Sequence, residues 1–434
     1  MRTTKRLAAV VAAVVMVPTV LAGSASASAR RESSARPAPP IQRLQHIVVL
    51  MQENRSYDEY FGALHRMGQK AAAAEPTAGN PNPVDPTSKI APFHQSAACE
   101  VADLNHAWTG TDAEIADGQM SGFTAQNAMP FDPTGSRAMG YYDASDLPFS
   151  YGLAKTFGIG DRYFASVPGP TFPNRFYEMA GTSFGHIEND FPPEGGWPQP
   201  TIFGRLQQAG ISWKVYYEQF PTASFFADVK AHMDQVQPIA QYFADAAAGT
   251  LPQVAVVEPT YIGTVTQETD EHPPANFQLG QQFTANVVHA LMTSRNWSSS
   301  AFILTYDEHG GYYDHVAPPA APVADGIPPM LGPTDVQAAF DQYGVRVPFV
   351  VASPFSKQHF VSHRVSDHTS ILALIERRFG LQPLTQRDAK ANPLLEYFDF
   401  ANPHFRKPPK LPNPTIDPAK AAQCAALHPG VLGV

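Results

Sequence analysis

Charge is scarce in this sequence of 434 residues: Asp, Glu, Lys and Arg make up 16%, and 39 acidic side chains against 30 basic ones leave a net charge of -9. Nothing in that balance steers the chain toward nucleic acid or an anionic membrane surface. Cysteine is nearly missing, and the two that exist, Cys99 and Cys424, suit one bridge in an oxidising compartment. The sequence has no GxSxG, no P-loop and no HExxH, which removes the sequence support for serine hydrolases, P-loop NTPases and the common zinc peptidases. Beyond residue 21 no apolar run approaches the roughly 20 residues that span a bilayer. No internal repeat marks a solenoid or propeller.

What is present is a core: 44% of the residues are hydrophobic, enough for one large domain or two ordinary ones. The 42 prolines and 30 glycines fall short of a low-complexity composition and point to long structured loops. The chain opens with Arg2, Lys5 and Arg6, an apolar run over 7–21 broken by Pro18, and small residues ending in Ala25-Ser26-Ala27. That order reads as a secretory signal peptide over 1–27, removed on export and leaving no integral membrane anchor. Lys5-Arg6 is not a twin-arginine pair, which favours the general export route. Residues 28–40, rich in Ser, Arg, Ala and Pro, read as a flexible tether. A folded domain is expected over 41–384, with a Pro-rich segment, 385–434, wrapped on its surface.

Within that domain short apolar runs at 46–51, 212–217, 254–258, 301–306 and 347–353 read as strands. Amphipathic stretches at 281–295, with Phe283, Val287, Val288 and Leu291 on one face, and at 369–379, with Ile371, Leu372, Ile375 and Phe379, read as helices. The alternation predicts an α/β fold, a mostly parallel sheet with helices on both faces. Two polar stretches, 71–136 and 318–334, are expected as long loop insertions that shape a site.

Ligands of open α/β sheets sit at the carboxyl ends of strands. The first strand runs into Gln52-Glu53-Asn54-Arg55-Ser56 and a later one into Asp307-Glu308-His309-Gly310-Gly311. Glu53, Asn54, Asp307 and Glu308 together offer the oxygens a hard divalent cation needs; taken singly they could equally be solvated loop carboxylates, with Asn54 and Asp307 capping turns. Thr171 lies where a helix begins, as a cap or, beside a cation, as a nucleophile. His106, His272, His309, His315 and His368 all stand in loops or at element ends, and any of them could protonate an alkoxide leaving group. Asp367 reads as the cap of the helix at 369.

The motifs themselves are long. Ile47-Val48-Val49-Leu50-Met51-Gln52-Glu53-Asn54-Arg55-Ser56-Tyr57-Asp58, then Gly169-Pro170-Thr171-Phe172-Pro173-Asn174-Arg175, Glu271-His272-Pro273, Thr305 to Val316, and Asp367-His368-Thr369-Ser370 follow in order. The series resembles the bacterial phosphoesterase family, which includes secreted phospholipases C and acid phosphatases. The resemblance implies an alkaline-phosphatase-like core and a divalent metal held by Glu53, Asn54, Asp307 and Glu308. It also implies Thr171 as nucleophile, with His106 and His272 holding phosphate oxygens or protonating the leaving group. Calcium, magnesium or manganese suits such oxygens, and zinc if a histidine joins. The motif from Asp307 to Gly311 departs from the Asp-Glu-Asn-Asp-Gly of many phospholipase members. The expected activity is phospholipase C-type hydrolysis of phospholipids through a phosphothreonine by a secreted monomer, with Trp108 and Tyr312-Tyr313 as aromatics for a choline group. The alternatives are an acid phosphatase acting on small phosphate monoesters and, in another class, a non-catalytic exported protein that binds phosphate or headgroups.

Overall fold

The computed structural model describes residues 40–67 and 79–430; the signal peptide, and all of the tether but Pro40, lie outside the described residues. Eight strands make the central sheet: β1 (His46–Gln52), β2 (Gly158–Gly160), β3 (Trp213–Tyr217), β4 (Val236–Pro238), β5 (Val254–Glu258), β6 (Ser300–Tyr306), β7 (Phe349–Ala352) and β8 (Phe360–Ser362). Their order is β8-β2-β7-β6-β1-β5-β3-β4. Only β7 runs against its neighbours; every other pairing is parallel. All residues of β5, β6 and β7, and all of β1 after His46, are buried. Because successive side chains point to opposite faces, such runs need cover on both sides of the sheet. The five apolar runs of the sequence are β1, β3, β5, β6 and β7. The three strands it did not announce, β2, β4 and β8, are three residues each, too short to show a period.

Five helices matter for the site: α1 (Tyr57–Phe61), α2 (Trp108–Ile115), α3 (Thr171–Ala180), α4 (Phe277–Thr293) and α5 (Thr369–Phe379). In α4 the expected stripe of Phe283, Val287, Val288 and Leu291 is buried, and the helix begins four residues earlier than its pattern because Asn276 caps it, accepting from the Gln278 amide. In α5 Ile371, Leu372 and Ile375 are buried, and Gly380 at φ 71° ends the helix. His368 occupies the N-cap position without a side-chain bond, and Asp367, one residue earlier, accepts from the Thr369 amide as well as from Thr369 Oγ1 (2.6 Å) and Ser166 Oγ (2.8 Å). Strands and helices share one large core, where truncating a single Leu to Ala costs about 2–5 kcal/mol.

Cys99 and Cys424 form a disulfide with a Cα–Cα distance of 5.8 Å. Along the final segment Tyr397, Phe398, Phe405 and Cys424 are buried, and Trp297 Nε1 donates to the Phe405 carbonyl. Among the described residues no helix is long and apolar enough to cross a membrane.

Candidate active site

β1 and β6 pair in parallel up to Gln52 and Tyr306, so their carboxyl ends coincide and Glu53-Asn54 meets Asp307-Glu308. Asn54 takes a left-handed conformation, φ 62°, which turns its amide onto Asp307 Oδ1 at 3.0 Å; the Glu308 amide donates to the same oxygen. Gly310 closes the other side, where a Cβ would fall 2.3 Å from the Asn54 carbonyl oxygen. Glu53, Asn54, Asp307 and Glu308 are at most 2% exposed, so they are not solvated loop groups. Asp307 does serve as an amide acceptor, yet its Oδ2 and Asn54 Oδ1 are buried with no hydrogen-bond partner among the described residues. Orphaned oxygens of that kind cost about 1–3 kcal/mol each. The two unsatisfied oxygens, Asn54 Oδ1 and Asp307 Oδ2, are of the hard donor type a divalent cation takes, although Glu53, Asp307 and Glu308 do not bring three carboxylate oxygens within 4.8 Å of one another among the described residues.

Two cations of the chain balance part of this charge. Arg175, on α3, donates from Nη2 to Glu53 Oε1 at 2.9 Å and stands 3.7 Å from Asp307 Oδ2. Burial raises Glu53 above the ordinary carboxylate range against the pull of Arg175, and burial with the neighbouring charges of Glu53 and Glu308 pushes Asp307 up to about 8. For His106 burial works against the charged form, but the Glu308 and Asp103 carboxylates outweigh it and push the imidazole up to about 10. Burial pushes Glu308 up too, yet His106 and His309 hold it well below the usual range.

Thr171 is the first residue of α3 and 2% exposed. It is not a cap: Pro170 holds that position, without a side-chain bond. Thr171 and Arg175 are four residues apart, hence on one helix face, and Arg175 turns that face toward Glu53 and Asp307. The amides beyond Thr171 offer little to an anion, because Phe172 N already donates to Asn189 Oδ1 and Pro173 has no N–H. Pro170, Ile187 and Asn189 line one pocket with His106 and Trp108, and Glu188 and Asp335 add carboxylates to its wall.

The five candidate histidines separate. His106 Nδ1 lies 2.9 Å from Glu308 Oε1 and 2.7 Å from Asn54 Nδ2, with Nε2 3.4 Å from Asp103. His272 faces it, ring centroids 5.6 Å apart, and its Nδ1 bonds the Pro273 carbonyl. His309 is buried against Glu114 of α2 at 2.8 Å, and His315 bonds Asp58 within an ion network with Arg346 and Asp314. His368 Nε2 donates to the Asp307 carbonyl, and burial lowers it to about 4, so it stays neutral. Tyr312 and Tyr313 pack with Phe123 away from the pocket; only Trp108 of the expected aromatics lines it.

Among the described residues three groups bring acidic and imidazole ligand atoms within 4.8 Å of one another: Asp103, His106 and His272; Asp58, Asp314 and His315; and His94, Asp143 and Asp146. The first joins the two histidines at the site and adds Asp103, which the sequence did not single out. Arg175 was also unassigned, although its spacing from Thr171 was a usable signal.

The family model described as the Phosphoesterase family matches residues 44–382. Phosphoric ester hydrolysis is the chemistry of this class, and the chain belongs to the Phosphoesterase family. It is 34% identical to non-specific phospholipase C1 of Arabidopsis thaliana over 85% of this chain and 74% of that protein. Against phospholipase C B of Mycobacterium tuberculosis the identity is 31%, over 88% and 82% of the two chains. Against the non-hemolytic phospholipase C of Pseudomonas aeruginosa it is 30%, over 86% and 60%. Solved structures are more distant. A protein of the alkaline phosphatase superfamily from Vibrio parahaemolyticus aligns at a TM-score of 0.39 with 10% identity, over 80% of this chain and 69% of that one. A phosphonate monoester hydrolase of Agrobacterium radiobacter aligns at 0.36 with 9% identity, over 78% and 74%.

Proposed function

We propose that this chain is an exported, monomeric, metal-dependent phospholipase C that works through a phosphothreonine at Thr171. The observation that carries the reading is the span of α3: its first residue is the hydroxyl, and one turn on Arg175 reaches the two acidic strand ends. Glu53, Asn54, Asp307 and Glu308 would hold the divalent cation, which when bound supplies Lewis-acid stabilisation and favours the threonine alkoxide. Arg175 fixes α3 against this cluster and keeps Thr171 in reach. The Thr171 oxygen forms a bond to phosphorus as the bond to the glycerol oxygen breaks in line. His106, anchored through Nδ1 by Glu308, holds a phosphate oxygen from Nε2, which exchanges its 3.4 Å contact with Asp103 for the substrate. The Thr171 hydroxyl proton departs to bulk water; His272, whose Nδ1–H is committed to the Pro273 carbonyl, gives the leaving glycerol alkoxide the proton held at Nε2 and takes one back from the water that attacks in the second step. Water then releases the phosphorylated headgroup from Thr171.

Substrate choice rests on the pocket beside His106. Its walls carry the carboxylates Glu188 and Asp335, the indole of Trp108 and the His106 imidazole, an arrangement that suits a headgroup with a cationic arm against the carboxylates and its phosphate at His106. Export rests on the N-terminal pattern and agrees with the Cys99–Cys424 bridge. The test is to strip divalent cations with a chelator and to assay phosphatidylcholine, nitrophenyl phosphorylcholine and nitrophenyl phosphate before and after metal return. Metal-dependent turnover of the two diesters is expected. Turnover of the monoester alone, with an acid optimum, would replace this reading with an acid phosphatase, and full activity after verified metal removal would overturn the metal site.

A further inference from the structure

The loop that carries His272 is held by a residue that has no part in the chemistry above. Glu271 is 1% exposed and takes φ 75°, a left-handed conformation that non-glycine residues rarely adopt. Such a conformation persists only where its surroundings over-determine it, and here they do. The Glu271 carboxylate accepts from Tyr60 Oη (2.6 Å) and Tyr306 Oη (3.1 Å), from Gln281 Nε2 (3.1 Å to Oε1) and from Gln52 Nε2 (3.4 Å). Its backbone carbonyl accepts from Arg55 Nε (3.0 Å) and Nη2 (2.6 Å). Room for the side chain comes from Gly280 of α4, where a Cβ would lie 2.1 Å from Glu271 Cγ. One residue earlier the Asp270 carbonyl accepts from the Glu53 amide at 2.8 Å, and one residue later the His272 amide donates to Asp270 Oδ1 at 3.0 Å. The chain thus reverses at Glu271 between a staple to the end of β1 and the imidazole opposite His106.

We infer that Glu271 is the positioning residue for His272: its buried carboxylate, gripped by donors from α1, β1, β6 and α4, forces the backbone turn that presents the imidazole to the leaving group. The inference rests on the assignment of the leaving-group proton to His272. Tyr60, Tyr306, Gln281 and Gln52 act through Glu271, and Glu271 acts on the reaction through His272. A side chain that touches neither substrate nor cation therefore controls the turnover step and not the binding of substrate. Losing an outer partner that orients a reacting side chain costs about 10–100-fold.

The test is a double-mutant cycle on kcat and KM with nitrophenyl phosphorylcholine. Glu271→Ala is expected to lower kcat about 30-fold with KM within about threefold, and Glu271→Gln, which keeps length and one acceptor, to recover most of the loss. In a His272→Ala background the same Glu271→Ala change should cost less than about threefold, because the group it positions is gone. Tyr306→Phe and Gln281→Met each remove one donor and keep the cycle available should Glu271→Ala not fold; the same non-additivity is expected at smaller amplitude. Effects that multiply in the two backgrounds would overturn the positioning role and leave the phosphoesterase reading intact. A His272→Ala enzyme at full rate would instead remove the proton assignment and this inference with it.

Discussion

Arg175 Nη2 sits 2.9 Å from Glu53 Oε1 while its Nε stands 3.7 Å from Asp307 Oδ2, so one guanidinium ties α3 to the ends of both β1 and β6. The guanidinium also lies over the Tyr261 ring at 4.8 Å and donates to the Met51 carbonyl. It is the only group described above that touches strand β1, the acidic residue after β6 and the helix that begins at Thr171 at once.

Removing that cation leaves buried carboxylates unbalanced. Arg175→Met is expected to destabilise the metal-free protein by about 3–5 kcal/mol, the usual result of breaking a buried pair from one side. Added divalent cation should recover part of the loss, because it restores positive charge at the same oxygens. Chemical denaturation with and without the metal reads both effects, and a variant as stable as the parent would contradict the role given to Arg175.

Thr171→Val keeps the shape of the side chain and removes its hydroxyl. Turnover is expected to fall by about 10³-fold or more with the fold intact, measured as kcat on a diester alongside circular dichroism. Mass spectrometry of protein quenched during turnover of a phosphorylcholine diester should find the phosphorylated headgroup on Thr171 in the parent and none in the variant.

How much of this was legible in the sequence depends on how far each feature reaches. β1 and β6 are continuous apolar runs ending in polar motifs, so the strand ends and their four oxygen-bearing residues stood out locally. Arg175 did not, because its partner Glu53 lies 122 positions away. By position alone the five histidines were equivalent and only the resemblance marked His106 and His272; in the fold, packing against Glu114, Asp58 or the Asp307 carbonyl separates His309, His315 and His368 from the facing pair. The capping expected of Thr171 failed because Pro170 already holds the N-cap position.

Glu376, in α5, gives a pH dependence away from the site. Burial, with the adjacent Asp388 carboxylate, pushes it up from 4.5 to about 9. The folded chain therefore keeps this proton over a range where the unfolded chain has lost it. The contribution is fully present below about 4.5 and declines as pH rises toward 9. Glu376→Gln should leave Tm unchanged near pH 5 and raise it by about 2 °C near pH 8. Melting curves at the two pH values check this, and an equal shift at both would contradict it.

The Cys99–Cys424 bridge spans 325 positions. Replacing both cysteines by serine is expected to cost about 2–5 kcal/mol in stability while leaving kcat of the folded protein close to the parent. Denaturation midpoints and a diester assay separate the two.

The left-handed turn at Asn54 has a consequence for the life of the chain before it is finished. The amide it aims at Asp307 must find a partner 253 positions further on, and β1 has no neighbour in the sheet until β5 and β6 exist. Contacts so far apart close late and slowly, since loop closure precedes any reward. A half-synthesised chain therefore holds Glu53 and Asn54 as inert polar residues. The four oxygen-bearing residues come together only once β6 lies beside β1, so this cluster is a product of the finished sheet and not of either strand alone.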